Sequence, residues 1–231
     1  MLNDLIKELY KIRNPKKAKE LQKFFKTGKG EYGEGDVFLG INVPTQRQMA
    51  TKYKNLSLGE IQKLLSNKIH EFRLVGLLIS IEKYNKSSQK EKKIIVNLYL
   101  KNTKNINNWD LVDLSSHKIL GDYLSNKDKS LLYKLAQSKN LWEKRIAIIS
   151  TYTFIKNKEF TDSIKIAKIL LQDKRDLIHK AVGWMLREVG KKDINVLSNF
   201  LNKHYKTMPR TTLRYAIERL DKKKKEFYMK K

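Results

Sequence analysis

Proline occurs only at positions 15, 44 and 209 of this chain of 231 residues, and each of the three is suited to the start of a helix. Inside a helix proline removes a donor and clashes with the preceding turn. Its near absence therefore leaves long stretches free to be helical. The apolar residues use that freedom: Leu2, Leu5, Ile6, Leu9 and Ile12 form one stripe at helical spacing, and Ile164, Ala167, Leu170 and Leu171 form another. Ser57 with Glu60, and Asn140 with Glu143, read as capping boxes or close variants. No stretch alternates in the manner of a strand. The expected class is all-α.

Several of the expected helices look alike. The segments 70–84, 108–124, 141–155, 178–190 and 209–220 each open on polar or aromatic residues, continue with an apolar body, and follow a shorter amphipathic helix. Aligning Arg73, Asp113, Arg145 and Lys180 gives steps of 40, 32 and 35 residues, near the period of helix-pair solenoids. The expected architecture is a single domain over 1–231: a helical-repeat solenoid, an α–α superhelix whose basic concave face is the right shape for a duplex backbone.

Lys and Arg number 50 against 24 Asp and Glu, a net charge of +26 that attracts polyanions. Nucleic acid, acidic proteins and anionic membranes are the candidate partners. The nine arginines say more than the 41 lysines, because a planar guanidinium fits phosphate better than an ammonium does. Cysteine is absent, which excludes disulfides and thiolate metal sites. The opening MLNDLIKELY has no signal-peptide core, and no apolar run approaches a membrane span. The expectation is an intracellular, cytoplasmic protein, associated with the nucleoid when bound to DNA.

The segment NINNWDLVDLSSHK carries the densest chemistry. Trp109 and Asp113 are four residues apart and share a helix face, while Asp110 lies off that face near the helix start, where the macrodipole favours a carboxylate. Asp113 falls where the other repeats place Arg73, Arg145 and Lys180, so its neighbours are expected to keep it ionised. A structural salt bridge between repeats is the competing reading. Trp184, Lys180 and Arg187 share a face on a later helix and suit contact with sugar and phosphate, with core packing as the alternative. Trp142 reads as a packing residue.

Weaker signals follow. TGKGEYGEGD lacks the Walker pattern and reads as a flexible loop that touches DNA through Lys26, Lys29 and Tyr32. His70, His117, His179 and His204 show no metal spacing. Arg210 opens a helix with free N–H groups, a ready anion site. The tail KKKKEFYMKK reads as a solvated, frayed end.

NNWDLVD, WEKRIAI and HKAVGWMLRE, in this order, resemble the signature segments of the AlkD-like DNA alkylation repair glycosylases, which are built from HEAT-like repeats. NPKKAKELQKFF and VFLGINVPTQRQ are also similar, so the resemblance spans nearly the whole chain and brings in Arg47. It implies that Asp113 is the catalytic carboxylate, that Trp109 and Trp184 pack on the deoxyribose backbone at the lesion, and that Arg145 holds the DNA backbone nearby. Phe24 or Phe25 stands where the family has a tyrosine.

The resemblance further implies a monomeric, monofunctional glycosylase without metal or cofactor. It would release cationic N3- or N7-alkylated purines from duplex DNA and need no pocket for a flipped base. The alternative is a non-catalytic HEAT-repeat protein that binds duplex or distorted DNA. A solenoid with an acidic protein partner is a third reading.

Overall fold

The computed structural model describes residues 1–230. Among them the only extended pairing is an isolated parallel bridge between Val37 and Ile69; the rest is helix, turn and loop. The chain divides into two compact units, one from Met1 to Ser115 and one from Ser116 onward. No helix among the described residues is long and apolar enough to cross a membrane.

The first unit contains α1 (Leu2–Lys11), α2 (Pro15–Phe24), α3 (Val43–Lys52), α4 (Leu58–Leu65), α5 (His70–Lys86), α6 (Gln89–Lys101) and α7 (Trp109–Ser116). Pro15 and Pro44 lie in the first turns of α2 and α3, where a missing N–H costs nothing. The Ser57–Glu60 box closes as expected at the start of α4, and a second box, Ser88–Glu91, opens α6. The central helix is α5. Its Val75, Leu77 and Ile79 are wholly buried, and it packs against α3, α4 and α6. Each such side chain contributes about 1.5–3 kcal/mol through burial.

Two loops between α2 and α3 position the rest. The glycine-rich segment 28–35 folds into consecutive turns. The Glu31 and Glu34 carboxylates accept the N–H groups of Gly28 and Gly30 at 2.9 and 2.8 Å, and Gly33 N–H donates to the Lys26 carbonyl at 3.0 Å. Residues 36–41 are tied to α5. Buried Glu71 accepts the N–H groups of Leu39, Gly40 and Ile41 at 2.9, 2.8 and 3.2 Å. Gly40 has φ of +83° and lies hard against the Asn14 carbonyl, so no side chain fits there.

The second unit opens with a π-turn at His117–Gly121. It continues through α8 (Asp122–Leu124), α9 (Ser130–Ala136), α10 (Leu141–Ser150), α11 (Tyr152–Lys156), α12 (Thr161–Leu170) and α13 (Asp176–Lys192) to α14 (Ile194–His204), α15 (Arg210–Ala216) and α16 (Lys222–Met229). Short helices pack on the long ones that follow them: α9 on α10 and α12 on α13, as α4 does on α5 in the first unit. The helix-pair repeat read from the sequence is therefore present.

Four local expectations are corrected. The segment 108–124 is not a uniform α-helix: the π-turn inserts an extra residue, and the Thr153 hydroxyl donates to the His117 carbonyl at 2.6 Å. The segment 141–155 breaks into α10 and α11 at Thr151. Asn140 caps α10 by accepting the Trp142 N–H, but Glu143 accepts from the Ser138 hydroxyl and does not close a box. The lysine-rich tail is not frayed, since it forms α16. Tyr228 is buried there, its hydroxyl donates to Asn202 at 2.9 Å, and Arg210 donates to the Met229 carbonyl at 3.0 Å. The aromatic residues within the basic run supply that anchor.

Gly183 marks a close approach between two helices of the second unit. A Cβ there would overlap the Tyr215 side chain and the Thr212 carbonyl of α15. Gly183→Ala would improve helix propensity yet is expected to destabilise the protein by about 2 kcal/mol through overpacking. Urea denaturation checks this; an unchanged midpoint would mean α13 and α15 can separate without cost.

Candidate functional site

Trp109 opens α7 and lies half-buried at the end of a column of rings in the first unit. Phe25 stacks on it with centroids 5.2 Å apart, Phe38 stacks on Phe25 at 5.1 Å, and His70 stacks on Phe38 at 4.5 Å. Phe24 meets the edge of Trp109 at 5.9 Å and is 62% exposed. The consecutive Phe24 and Phe25 split between surface and core because adjacent helical positions point about 100° apart. Asp113, one turn beyond Trp109, is half-buried on the same helix face. Burial chiefly, with Asp113 adding its charge, pushes the Tyr99 phenol up against its bond with Ser115.

Beside the rings lies a buried polar cluster. One Asp36 oxygen accepts from Arg73 Nη2 at 2.6 Å and from Asn107 Nδ2 at 3.1 Å; the other lies 3.2 Å from His70 Nδ1. The opposite ring nitrogen, Nε2, lies 2.8 Å from Asp110. Burial alone would push the imidazole down, but Asp110 and then Asp36 outweigh it, and His70 is pushed up to about 9. A ring with a carboxylate on each nitrogen needs both protons, so His70 is an imidazolium at neutral pH. Asp36 is held below the usual carboxylate range by His70 and Arg73 despite its burial.

Lys29 and Arg47 are exposed, on the glycine-rich loop and on α3 respectively, and Tyr32 donates weakly to the Phe24 carbonyl at 3.4 Å. Arg73, aligned with Asp113 in the repeat pattern, is 3% exposed and bonded to Asp36 and the Asn67 carbonyl.

In the second unit, Trp184 sits half-buried on α13, donating Nε1–H to Glu188 at 3.2 Å, with the Tyr152 ring 6.3 Å away. Tyr152 in turn meets His117 edge-on at 5.4 Å. Arg145 is 5% exposed and donates to the Leu177 carbonyl beside the start of α13. Lys144 and Arg175 hold Asp173 at 2.8 and 2.6 Å and keep its carboxyl well below its ordinary range against the pull of burial. Lys180 pairs with Asp176 at 2.7 Å, and Arg187 pairs with Glu218 and lies 3.6 Å from Glu188. Arg210 is exposed at the start of α15. Trp142 is buried, in keeping with a packing role.

The sequence matches the model for DNA alkylation repair enzymes over residues 5–220. The chain belongs to the DNA alkylation repair enzyme family. Two solved structures share its fold. A predicted DNA alkylation repair enzyme from Enterococcus faecalis is 17% identical with a TM-score of 0.71, covering 91% of this chain and 97% of its own. AlkD2 from Streptococcus mutans is also 17% identical, with a TM-score of 0.57, covering 89% of this chain and 98% of its own. A search of curated proteins finds no match.

The sequence reading of this alkylation repair protein missed Asp36 and His70 and gave Asp110 only a helix-dipole role. A signal was available: His70, Glu71 and Arg73 crowd the first turn of a helix that continues through the apolar run Leu74–Ile79, and buried charges need partners.

The His70 proton ties stability to pH. Folding raises the proton affinity of the ring from 6.5 to about 9, so the associated stabilisation, on the order of 3 kcal/mol, is complete below about pH 6.5 and is lost as the pH rises through 9. Thermal unfolding between pH 7 and 10 is expected to show a fall in Tm that His70→Gln lacks. Parallel curves for the two proteins would mean that the ring is neutral. Asp36→Asn leaves Arg73 and His70 buried without their shared counter-charge, with an expected loss of about 3–5 kcal/mol in denaturant unfolding.

Proposed function

We propose that this chain is a monofunctional DNA glycosylase that hydrolyses the N-glycosidic bond of cationic N3- or N7-alkylated purines in duplex DNA. The observation that carries this reading is Asp113, a half-buried carboxylate one turn from the half-buried ring of Trp109 in a chain of net charge +26. A protein that only grips phosphate gains nothing from an anion in that position. Membership of the alkylation repair family supports it.

The chemistry suits so sparse a set of groups. An alkylated purine already bears positive charge, so the C1′–N bond can break with its electron pair neutralising the departing base, and no acid need protonate it. The sugar is left as an oxocarbenium-like cation. A carboxylate close to it stabilises that charge and can take a proton from the water that attacks C1′. In this reading Asp113 plays both parts. Trp109 and Trp184 pack on the deoxyribose backbone, Phe24 extends the aromatic surface, and Lys29, Tyr32, Arg47, Lys180, Arg187 and Arg210 contact DNA. Arg145, nearly enclosed and bonded to Leu177, reaches the backbone only at its edge. The protein acts as a monomer, and neutral lesions gain too little from one anion to be released.

Release of N7-methylguanine from methylated duplex DNA tests the proposal. Asp113→Asn is expected to lower the single-turnover rate by at least about 10²-fold with duplex affinity retained. Tight duplex binding by the wild type without release of any cationic adduct would leave a DNA-binding scaffold instead. Duplex affinity is expected to fall steeply between about 50 and 200 mM salt as counterion release loses its drive; a flat salt dependence would argue against phosphate contacts.

A further inference from the structure

His70 belongs to both systems that meet at Trp109. Its ring is one end of the aromatic column that passes through Phe38 and Phe25 to the indole. Its Nε2 bonds the Asp110 carboxylate at 2.8 Å, and Asp110 is the residue after Trp109 in the first turn of α7. Asn107, two residues before Trp109, is held by the same Asp36 that faces His70 Nδ1. The start of α7 is thus fastened on either side of Trp109, and one fastening runs through the imidazole.

We propose that His70, bridging Asp36 and Asp110, is the positioning residue of the DNA-facing turn of α7. It sets the placement of Trp109 and Asp113 and cancels the charge of Asp110 where phosphate approaches. Its consequence for base release rests on the glycosylase reading; its consequence for DNA affinity does not.

The charges make the case. The groups facing His70 are Asp36 from the loop before α3, Arg73 and Glu71 from α5 and Asp110 from α7, while Lys17 from α2 lines the same small cavity of about 220 Å³. Glu71 is turned to the backbone N–H groups of residues 39–41. Within the bonded cluster, His70 and Arg73 balance Asp36 and Asp110. Loss of the His70 proton leaves one ring nitrogen presenting a lone pair to a carboxylate. Asp36 keeps Arg73 and Asn107, so Asp110 is the carboxylate that loses its only counter-charge in the cluster. Its side chain is 18% exposed, so the uncancelled charge faces solvent beside Trp109.

The test uses undamaged duplex DNA first, so that it does not depend on catalysis. Wild-type affinity at constant ionic strength is expected to fall about tenfold with a midpoint near pH 9. His70→Gln, confirmed folded by circular dichroism, is expected to show that weakened affinity already at pH 7 and no step near pH 9. The double variant His70→Gln with Asp110→Asn removes both charges and keeps a hydrogen bond, and it is expected to recover the lost affinity. Imidazole ¹⁵N shifts of the wild type follow the His70 proton directly, so a poorly folding variant does not stall the test.

Base release is measured alongside. His70→Gln is expected to lower the single-turnover rate at saturating enzyme, and the double variant to recover much of it. A merely structural histidine would lower Tm while leaving the pH profile of affinity and the double-variant comparison unchanged, and that result would overturn the proposal. If wild type releases no base but the affinity step and its recovery are seen, the glycosylase reading fails and the positioning role stands.

Discussion

Much of the first unit converges on one buried carboxylate. Asp36 receives Arg73 and His70 from α5 and Asn107 from the segment leading into α7, three donors drawn from parts of the chain 34 to 71 residues away. Such a group is costly to desolvate and becomes tolerable only when every partner is in place. The same demand makes it specific. Apolar helices can slide over one another at little cost, whereas a buried anion admits one arrangement of its donors. The aromatic column from His70 to Trp109 can be regular because the ionic cluster beside it fixes where the rings stand.

The division of labour between groups follows from this. Surface lysines supply long-range attraction and need no fixed geometry. The groups to which the glycosylase proposal gives chemistry are the opposite: few, half-buried and braced by neighbours. Trp109 is braced by Phe25, and Trp184 by its bond to Glu188. Arg73, which looks like a phosphate ligand by type, is instead an internal fastener. Residue type alone does not separate the two roles.

What could be read from the sequence was local. The long helices around 70–84 and 178–190 follow from apolar spacing, and the start of α4 from a Ser and a Glu three residues apart. The resemblance of three short segments pointed to the family and to Trp109 and Asp113. Features that depend on distant partners were not legible. The repeat alignment gives Arg73 no partner because that partner, Asp36, lies 37 residues earlier, in a loop whose shape no spacing rule gives. The π-turn at His117–Gly121 depends on a Thr153 hydroxyl 36 residues away, and α16 was obscured by its lysines although Tyr228 anchors it.

The Glu71 cradle has a consequence of its own. Three successive main-chain N–H groups converging on an anion form the kind of concavity with which many proteins grip phosphate or sulfate. Here the occupant is supplied by the protein itself, from a helix that must already be folded to deliver it. The loop at 36–41 therefore behaves as a receptor with a tethered internal ligand. Its shape reports on whether α5 is in place, so the segment carrying Asp36 and Phe38 holds its working form only with the central helix of the unit docked.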